Sequence, residues 1–158
     1  MIKNWLRNIL FFILLVSFSL TSFAGNEVIV SKKHLKLIVV NEKREILCVM
    51  PCAVGQQDGP KVEEGDMRTP EGVFTIVAIE NSIKWTHDFG DGYGKRKGAY
   101  GPWFIRLKTP NFTGIGIHGT CFPESIGKRS SEGCVRLRNE DVCKLVTYIK
   151  RGDRVIIY

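Results

Sequence analysis

Seven short runs of mostly β-branched and other apolar residues set the terms for this chain: Val28–Val30, Leu35–Val40, Ile46–Val54, Val73–Ile79, Phe104–Leu107, Ile115–Ile117 and Val155–Tyr158. Each is too short for a helix of ordinary length, and turn chemistry separates them: Asn41-Glu42-Lys43, Asp58-Gly59-Pro60, Thr69-Pro70-Glu71-Gly72 and Pro110-Asn111. Many short strands punctuated by turns predict a mainly β sandwich or barrel. One helix is expected near the end. Asn139 is its candidate N-cap, Glu140 and Asp141 fill its first turn, Lys150 and Arg151 its last, and Gly152 stops it. Val142, Leu145, Val146 and Ile149 recur at helical spacing and would form its buried stripe.

Residues 1–24 read differently. Lys3 and Arg7 precede an apolar run from Ile9 to Leu20, broken only by Ser17 and Ser19, and Ser22-Phe23-Ala24 supplies small residues at a cleavage site. This is the anatomy of a secretory signal, expected to be cleaved after Ala24. An uncleaved single-span anchor is the alternative, for which the run is short against the roughly 20 residues a span needs. Residues 25–158 would then be one domain working outside the cytoplasm, in the periplasm or cell wall, without a stable membrane span. Residues 1–24 hold two basic and no acidic residues, so residues 25–158 carry 21 basic against 16 acidic, a net +5. That balance suits an anionic polymer of the envelope and is also common on ordinary surfaces. No Lys/Arg stripe with interleaved aromatics argues for nucleic acid.

The segment 85–103, WTHDFGDGYGKRKGAYGPW, is Gly-rich, carries five aromatics and lacks periodicity. It is either a substrate wall or lid, or a surface hairpin whose aromatics pack down on the sheet. The densest chemistry lies further on. His118 ends the run GIGIHG, and sixteen residues on from it lies Cys134, within Ser131-Glu132-Gly133-Cys134-Val135-Arg136. Cys and His meeting in space make a nucleophile and its base, with the imidazole lowering the thiol's pKa. Gly133 would let a carbonyl approach the backbone and leave N–H groups for an oxyanion hole. Arg136, two residues from Cys134, shares its face on a strand and could hold a carboxylate bidentately. Against this stand plainer readings: a secreted Cys is often half of a disulfide, and a lone His is often structural.

The stretches HGT (118–120) and ESIGKRSSEGCVRL (124–137), with GDMRTPEGVFTI and AYGPWFIRL upstream, resemble the signature of the L,D-transpeptidase (YkuD-type) catalytic domain. That resemblance covers roughly residues 34–158. It implies a β-sandwich-like catalytic domain with one short helix after the nucleophile. It also implies Cys134 as nucleophile, His118 as the group that takes the thiol proton, and the Gly119 carbonyl as the acceptor that orients the imidazole. Ser131, Glu132, Gly133 and Arg136 fall at positions lining the substrate and oxyanion region. The substrate class implied is the peptidoglycan stem peptide, acted on by a monomer with neither metal nor organic cofactor. The donor would be cleaved at its third residue with release of D-Ala, then passed to an acceptor amine. The alternatives are an L,D-carboxypeptidase and a wall-binding pseudoenzyme. The family usually has His between Ser and Gly, where this chain has Glu132. That carboxylate would favour an imidazolium if near His118, oppose a thiolate if near Cys134, or face solvent or Arg129.

Four further cysteines remain. Cys48 and Cys52 lie on one face of a strand-like run, about 13 Å apart if extended, too far to bond each other. Cys143 is expected near the buried stripe of the helix. Cys121 lies close to His118 in sequence and could pair with Cys134. His34 and His87 are scattered and make no zinc-type cluster. Pro60, Lys61 and Glu63-Glu64 read as a solvated turn, with a groove lining as the alternative.

Overall fold

The computed structural model describes residues 25–158; the signal-like residues 1–24 lie outside the described residues. Twelve strands and one α-helix form among them. The strands are β1 Glu27–Ser31, β2 Lys36–Val40, β3 Ile46–Pro51, β4 Val54–Gly55, β5 Gly72–Asn81, β6 Thr86–Asp88, β7 Lys95–Lys97, β8 Trp103–Lys108, β9 Gly116–His118, β10 Arg129–Ser131, β11 Val135–Arg136 and β12 Arg154–Ile157. The helix α1 spans Asn139–Leu145.

Eight strands make one mixed sheet in the order β11-β9-β8-β5-β12-β1-β2-β3. Most neighbours are antiparallel; β1 runs parallel to β12, and β9 to β11. The sheet curls on itself. Beyond its edge strand β3, Ala53 exchanges both backbone hydrogen bonds with Arg136 of the opposite edge, each 2.8 Å. The pair β4–β10 continues this seam. Alternation along the strands fills the enclosed core: Val28 and Val30, Leu37 and Val39, Phe74 and Ile76, Ile105 and Leu107, and Val155 and Ile157 are all buried.

The Thr-Pro-x-Gly turn has a definite task. Buried Thr69 accepts the Gly55 N–H on its hydroxyl at 2.8 Å, and its carbonyl accepts from the buried Lys32 ammonium at 2.9 Å. Lys32 also pairs with Glu71 at 2.8 Å, so its charge is compensated where it is taken out of water.

The helix departs from expectation. Its N-cap is Arg138, not Asn139, and it ends at Leu145 instead of reaching Lys150. The Asn139 side chain turns to another use, accepting the Thr120 N–H at 2.9 Å. After Leu145 the bonds tighten, with Thr147 and Tyr148 N–H reaching only three residues back to Lys144 and Leu145. The Thr147 hydroxyl also donates to the Lys144 carbonyl at 2.8 Å, a local bond that competes with helix continuation. Val142, Leu145 and Ile149 still reach the core. Cys143 is exposed, contrary to its expected place near the buried stripe, while Cys48 and Cys52 are buried on one face of the β3 run; all five cysteines are free.

The last residues of the chain are thus structurally central, since β12 lies between β1 and β5. Ile157→Ala is expected to cost about 2–5 kcal/mol, a large share of the 5–15 kcal/mol typical of a domain. Val49→Ala, on the exposed side of β3, should cost under about 0.5 kcal/mol. Urea melts of the two variants with equal midpoints would contradict a load carried by the terminal strand.

Candidate active site

Period-2 alternation builds the site. In β9, Ile117 faces the core and His118 the opposite side; in β11, Val135 pairs with Ile117 and Arg136 with His118. On the other flank Phe104 of β8 pairs with His118, and their rings stack with centroids 5.4 Å apart and 10° from parallel. Cys134, two residues before Arg136, falls on the same face. His118, Cys134 and Arg136 line one pocket of about 290 Å³, together with Lys61, Glu64, His87, Phe89, Tyr100, Ser131 and Glu132.

The His118 ring is buried and held. Its Nδ1 lies 2.5 Å from the Gly119 carbonyl oxygen. A carbonyl only accepts, so Nδ1 carries a proton and Nε2 is left for chemistry. This contact depends on two glycines. A Cβ on Gly101, whose φ is +62°, would lie 2.6 Å from the Gly119 Cα, and one on Gly119 would lie 2.9 Å from the Gly101 Cα. Any larger residue would push the carbonyl away from the imidazole.

The loop that carries Cys134 is equally constrained. Gly133 has φ +140°, and a Cβ there would come 3.0 Å from the Arg68 carbonyl oxygen. Its N–H does not stand open as an oxyanion donor: it donates to the Ser131 hydroxyl at 3.1 Å. Ser131 is buried and in turn donates to the Cys134 carbonyl at 2.5 Å. Its side chain therefore shapes the loop from within. The Cys134 thiol donates to the Gly114 carbonyl at 3.4 Å.

Electrostatics favour the neutral forms of Cys134 and His118. Burial pushes the Cys134 thiol up to about 11, against opposition from the Gly116 backbone and Arg136, with Glu132 adding to the rise. Burial pulls His118 down to about 3, aided by the charges of Arg136 and His87 and resisted by the Gly119 hydrogen bond. A standing thiolate–imidazolium pair, expected from the residue types alone, is thus disfavoured, chiefly by the burial of the imidazole, while Cys134 itself is half-buried. Arg136 is itself buried. Its Nη1 donates to the Ser130 carbonyl at 3.3 Å, its guanidinium lies 5.5 Å from the Phe89 ring centroid, and its buried Nε has no partner among the described residues.

Glu132 is partly exposed and is not paired with Arg129, which pairs instead with Asp58 at 2.6 Å. Its Oε2 lies 2.9 Å from His87 Nε2, and His87 Nδ1 lies 3.0 Å from the Tyr100 hydroxyl. His87 belongs to the β6–β7 hairpin, in register with Arg96. Both readings of the 85–103 segment are therefore partly right. It is a hairpin whose Trp85 and Tyr100 pack on Phe104, and its His87 and Phe89 form a wall of the pocket. Lys61 and Glu64 also line the pocket instead of standing in a solvated turn; Lys61 is buried against Asp66 at 2.7 Å, and Glu64 accepts the Thr113 N–H at 2.8 Å. The sequence offered Lys61 and Glu64 as a groove lining only as the lesser alternative, and the aromatic, Gly-rich composition of 85–103 suggested a substrate wall without singling out His87 or Tyr100.

Comparison with known proteins bears on the family and the fold. The L,D-transpeptidase catalytic domain model of the YkuD family matches residues 25–157. The putative L,D-transpeptidase YkuD of Bacillus subtilis is 42% identical over 90 residues, 57% of this chain and 45% of the relative. The putative L,D-transpeptidase YqjB of the same organism is 32% identical over 132 residues, covering 82% of this chain and 69% of the relative. The chain thus spans less than half the length of the YkuD relative. An L,D-transpeptidase structure from Mycobacterium smegmatis superimposes with a TM-score of 0.64 at 22% identity, covering 85% of this chain and 59% of that one, a likeness of fold. By its motifs, its fold and these matches, the chain belongs to the YkuD L,D-transpeptidase catalytic domain family.

Proposed function

We propose that this protein is a peptidoglycan L,D-transpeptidase of the cell envelope, working by a cysteine acyl-enzyme. The observation that carries the reading is the fixed tautomer of His118: with Nδ1–H committed to the Gly119 carbonyl, Nε2 is a neutral base facing the pocket that also holds the Cys134 thiol. The thiol attacks the carbonyl carbon of the third residue of a donor stem tetrapeptide. Its proton passes to His118 Nε2 and from there to the nitrogen of the departing D-Ala. The amide C–N bond breaks and a thioester C–S bond forms. An acceptor amine then attacks the thioester, gives up a proton through the same imidazole, and restores the thiol as a 3→3 cross-link forms. Starting from neutral partners, proton transfer accompanies attack and no charge has to stand in the dry pocket beforehand. Arg136, with donors to spare, is the group suited to a substrate carboxylate.

Intact mass after incubation with a tetrapeptide donor should reveal a tripeptide-sized adduct on the wild type and none on Cys134→Ala. His118→Ala should slow adduct formation by about 100-fold or more. Adding a second stem should release a cross-linked dimer; release of free tripeptide alone would assign hydrolysis. An adduct surviving on Cys134→Ala would reject the nucleophile.

The neutral resting pair has its own pH signature. With the thiol raised to about 11, the thiolate fraction grows with pH well past the free-thiol value of about 8.5. Alkylation of Cys134 by iodoacetamide, followed on its own peptide, should therefore still be rising steeply above pH 9. Levelling at neutral pH would mean that the thiolate–imidazolium pair stands after all.

A further inference from the structure

One group in the pocket has no part in the reaction just described. His87 reaches it from the hairpin, with Nε2 2.9 Å from Glu132 and Nδ1 3.0 Å from the Tyr100 hydroxyl. Its ring is set edge-on to Phe89 (4.6 Å) and Tyr100 (5.7 Å). The carboxylate it holds stands two residues from both Cys134 and Ser130, in the same pocket as Arg136. Glu132 and Arg136 feel each other electrostatically, and Arg136 keeps a buried Nε without an acceptor, yet no ion pair joins the two among the described residues. A carboxylate beside an under-satisfied guanidinium would ordinarily be captured by it, with two parallel hydrogen bonds. What holds Glu132 elsewhere is the imidazole.

We propose that His87 is a positioning residue of this site: by engaging Glu132 it ties the hairpin wall to the nucleophile loop and withholds the carboxylate from Arg136, leaving the guanidinium for an anionic group of the substrate. The identity of that substrate rests on the function proposed above; the division of the two charges does not. Other charged and titratable groups around His87 are accounted for. Tyr100 bonds its Nδ1, Arg96 beside it in the hairpin pairs with Asp91 at 2.8 Å, and His118 is fixed on Gly119. Without His87, Arg136, which shares the pocket with Glu132 and interacts with it electrostatically, is the cation left with a free donor.

The test reads local charge at Cys134 with two alkylating reagents of similar size, anionic iodoacetate and neutral iodoacetamide. Rates are followed on the Cys134 peptide so that Cys121 and Cys143 do not interfere. Their ratio cancels changes in thiol reactivity or access that affect both alike, which is what a merely structural role would produce. His87→Ala should lower the iodoacetate-to-iodoacetamide ratio by about threefold or more, as Glu132 neutralises Arg136. His87→Gln, which keeps a donor for Glu132, should stay within about twofold of wild type. The double variant His87→Ala/Glu132→Gln should restore the ratio. An unchanged ratio in His87→Ala, or no restoration in the double variant, would overturn the proposal. In parallel, His87→Ala should raise KM for the donor more than it lowers kcat. A wild type that forms no donor adduct would reject the proposed function while leaving the alkylation ratios to decide the role of His87.

Discussion

Two backbone hydrogen bonds between Ala53 and Arg136, each 2.8 Å, carry more of this structure than their number suggests. They join the two edges of the eight-stranded sheet, so that the curl closes over the core and β11 does not stand as an open edge. Closure also sets the site. Arg136 is locked between β9 and Ala53, and its register with His118 fixes which side chains share the pocket face. Cys134 is carried on the loop immediately before this lock, and Ser131 and Gly133 shape that loop through the Ser131 hydroxyl and a positive-φ backbone that only glycine takes easily. The reactive geometry therefore follows from sheet register, and the side chains inherit it.

Burial also sets the balance of charge in the site. A thiol and an imidazole placed together in water would share a proton readily; here burial acts on both in the direction of neutrality. The Phe104 stack on one face of His118 and the edge of Tyr100 at 5.0 Å remove the water that an imidazolium would need. The Gly119 carbonyl compensates in part, by fixing which nitrogen holds the proton. The arrangement favours a base that acts only when attack begins.

Much of this was legible in the sequence, for identifiable reasons. The seven apolar runs all become strands because β-branched residues in short alternating runs have few other ways to bury one face. The run at 46–54 splits, since Ala53 leaves β3 to exchange hydrogen bonds with Arg136 while the Cys52 carbonyl accepts the Gly127 N–H. Strands β6, β7 and β10 were not legible: Thr-His-Asp, Lys-Arg-Lys and Arg-Ser-Ser have no apolar alternation and take their conformation from their partners. The helix stripe was readable and its ends were not, because Asn139 and Thr147 spend their side chains on tertiary and local bonds. In the site, the nearness of Cys134 and His118 could be expected from motif alone. The meeting of Glu132 with His87, 45 residues apart, depends on where the hairpin docks, which no local pattern encodes.

That meeting also accounts for the departure at Glu132. A carboxylate two residues from a cysteine nucleophile raises the thiol's pKa and competes for nearby arginine, both unfavourable for a site that relied on a standing thiolate. Neither cost is decisive here. The resting thiol is already neutral through burial, so the carboxylate opposes a charge that is not present before attack. The competition for Arg136 is met by an imidazole on the facing wall. The histidine usual in this stretch of the motif is replaced, while another imidazole, from a different part of the chain, comes to the same neighbourhood with its hydrogen bond directed onto the new residue. Side chains at such a site are constrained as a set, by the charge and hydrogen-bonding capacity they jointly present to the nucleophile loop.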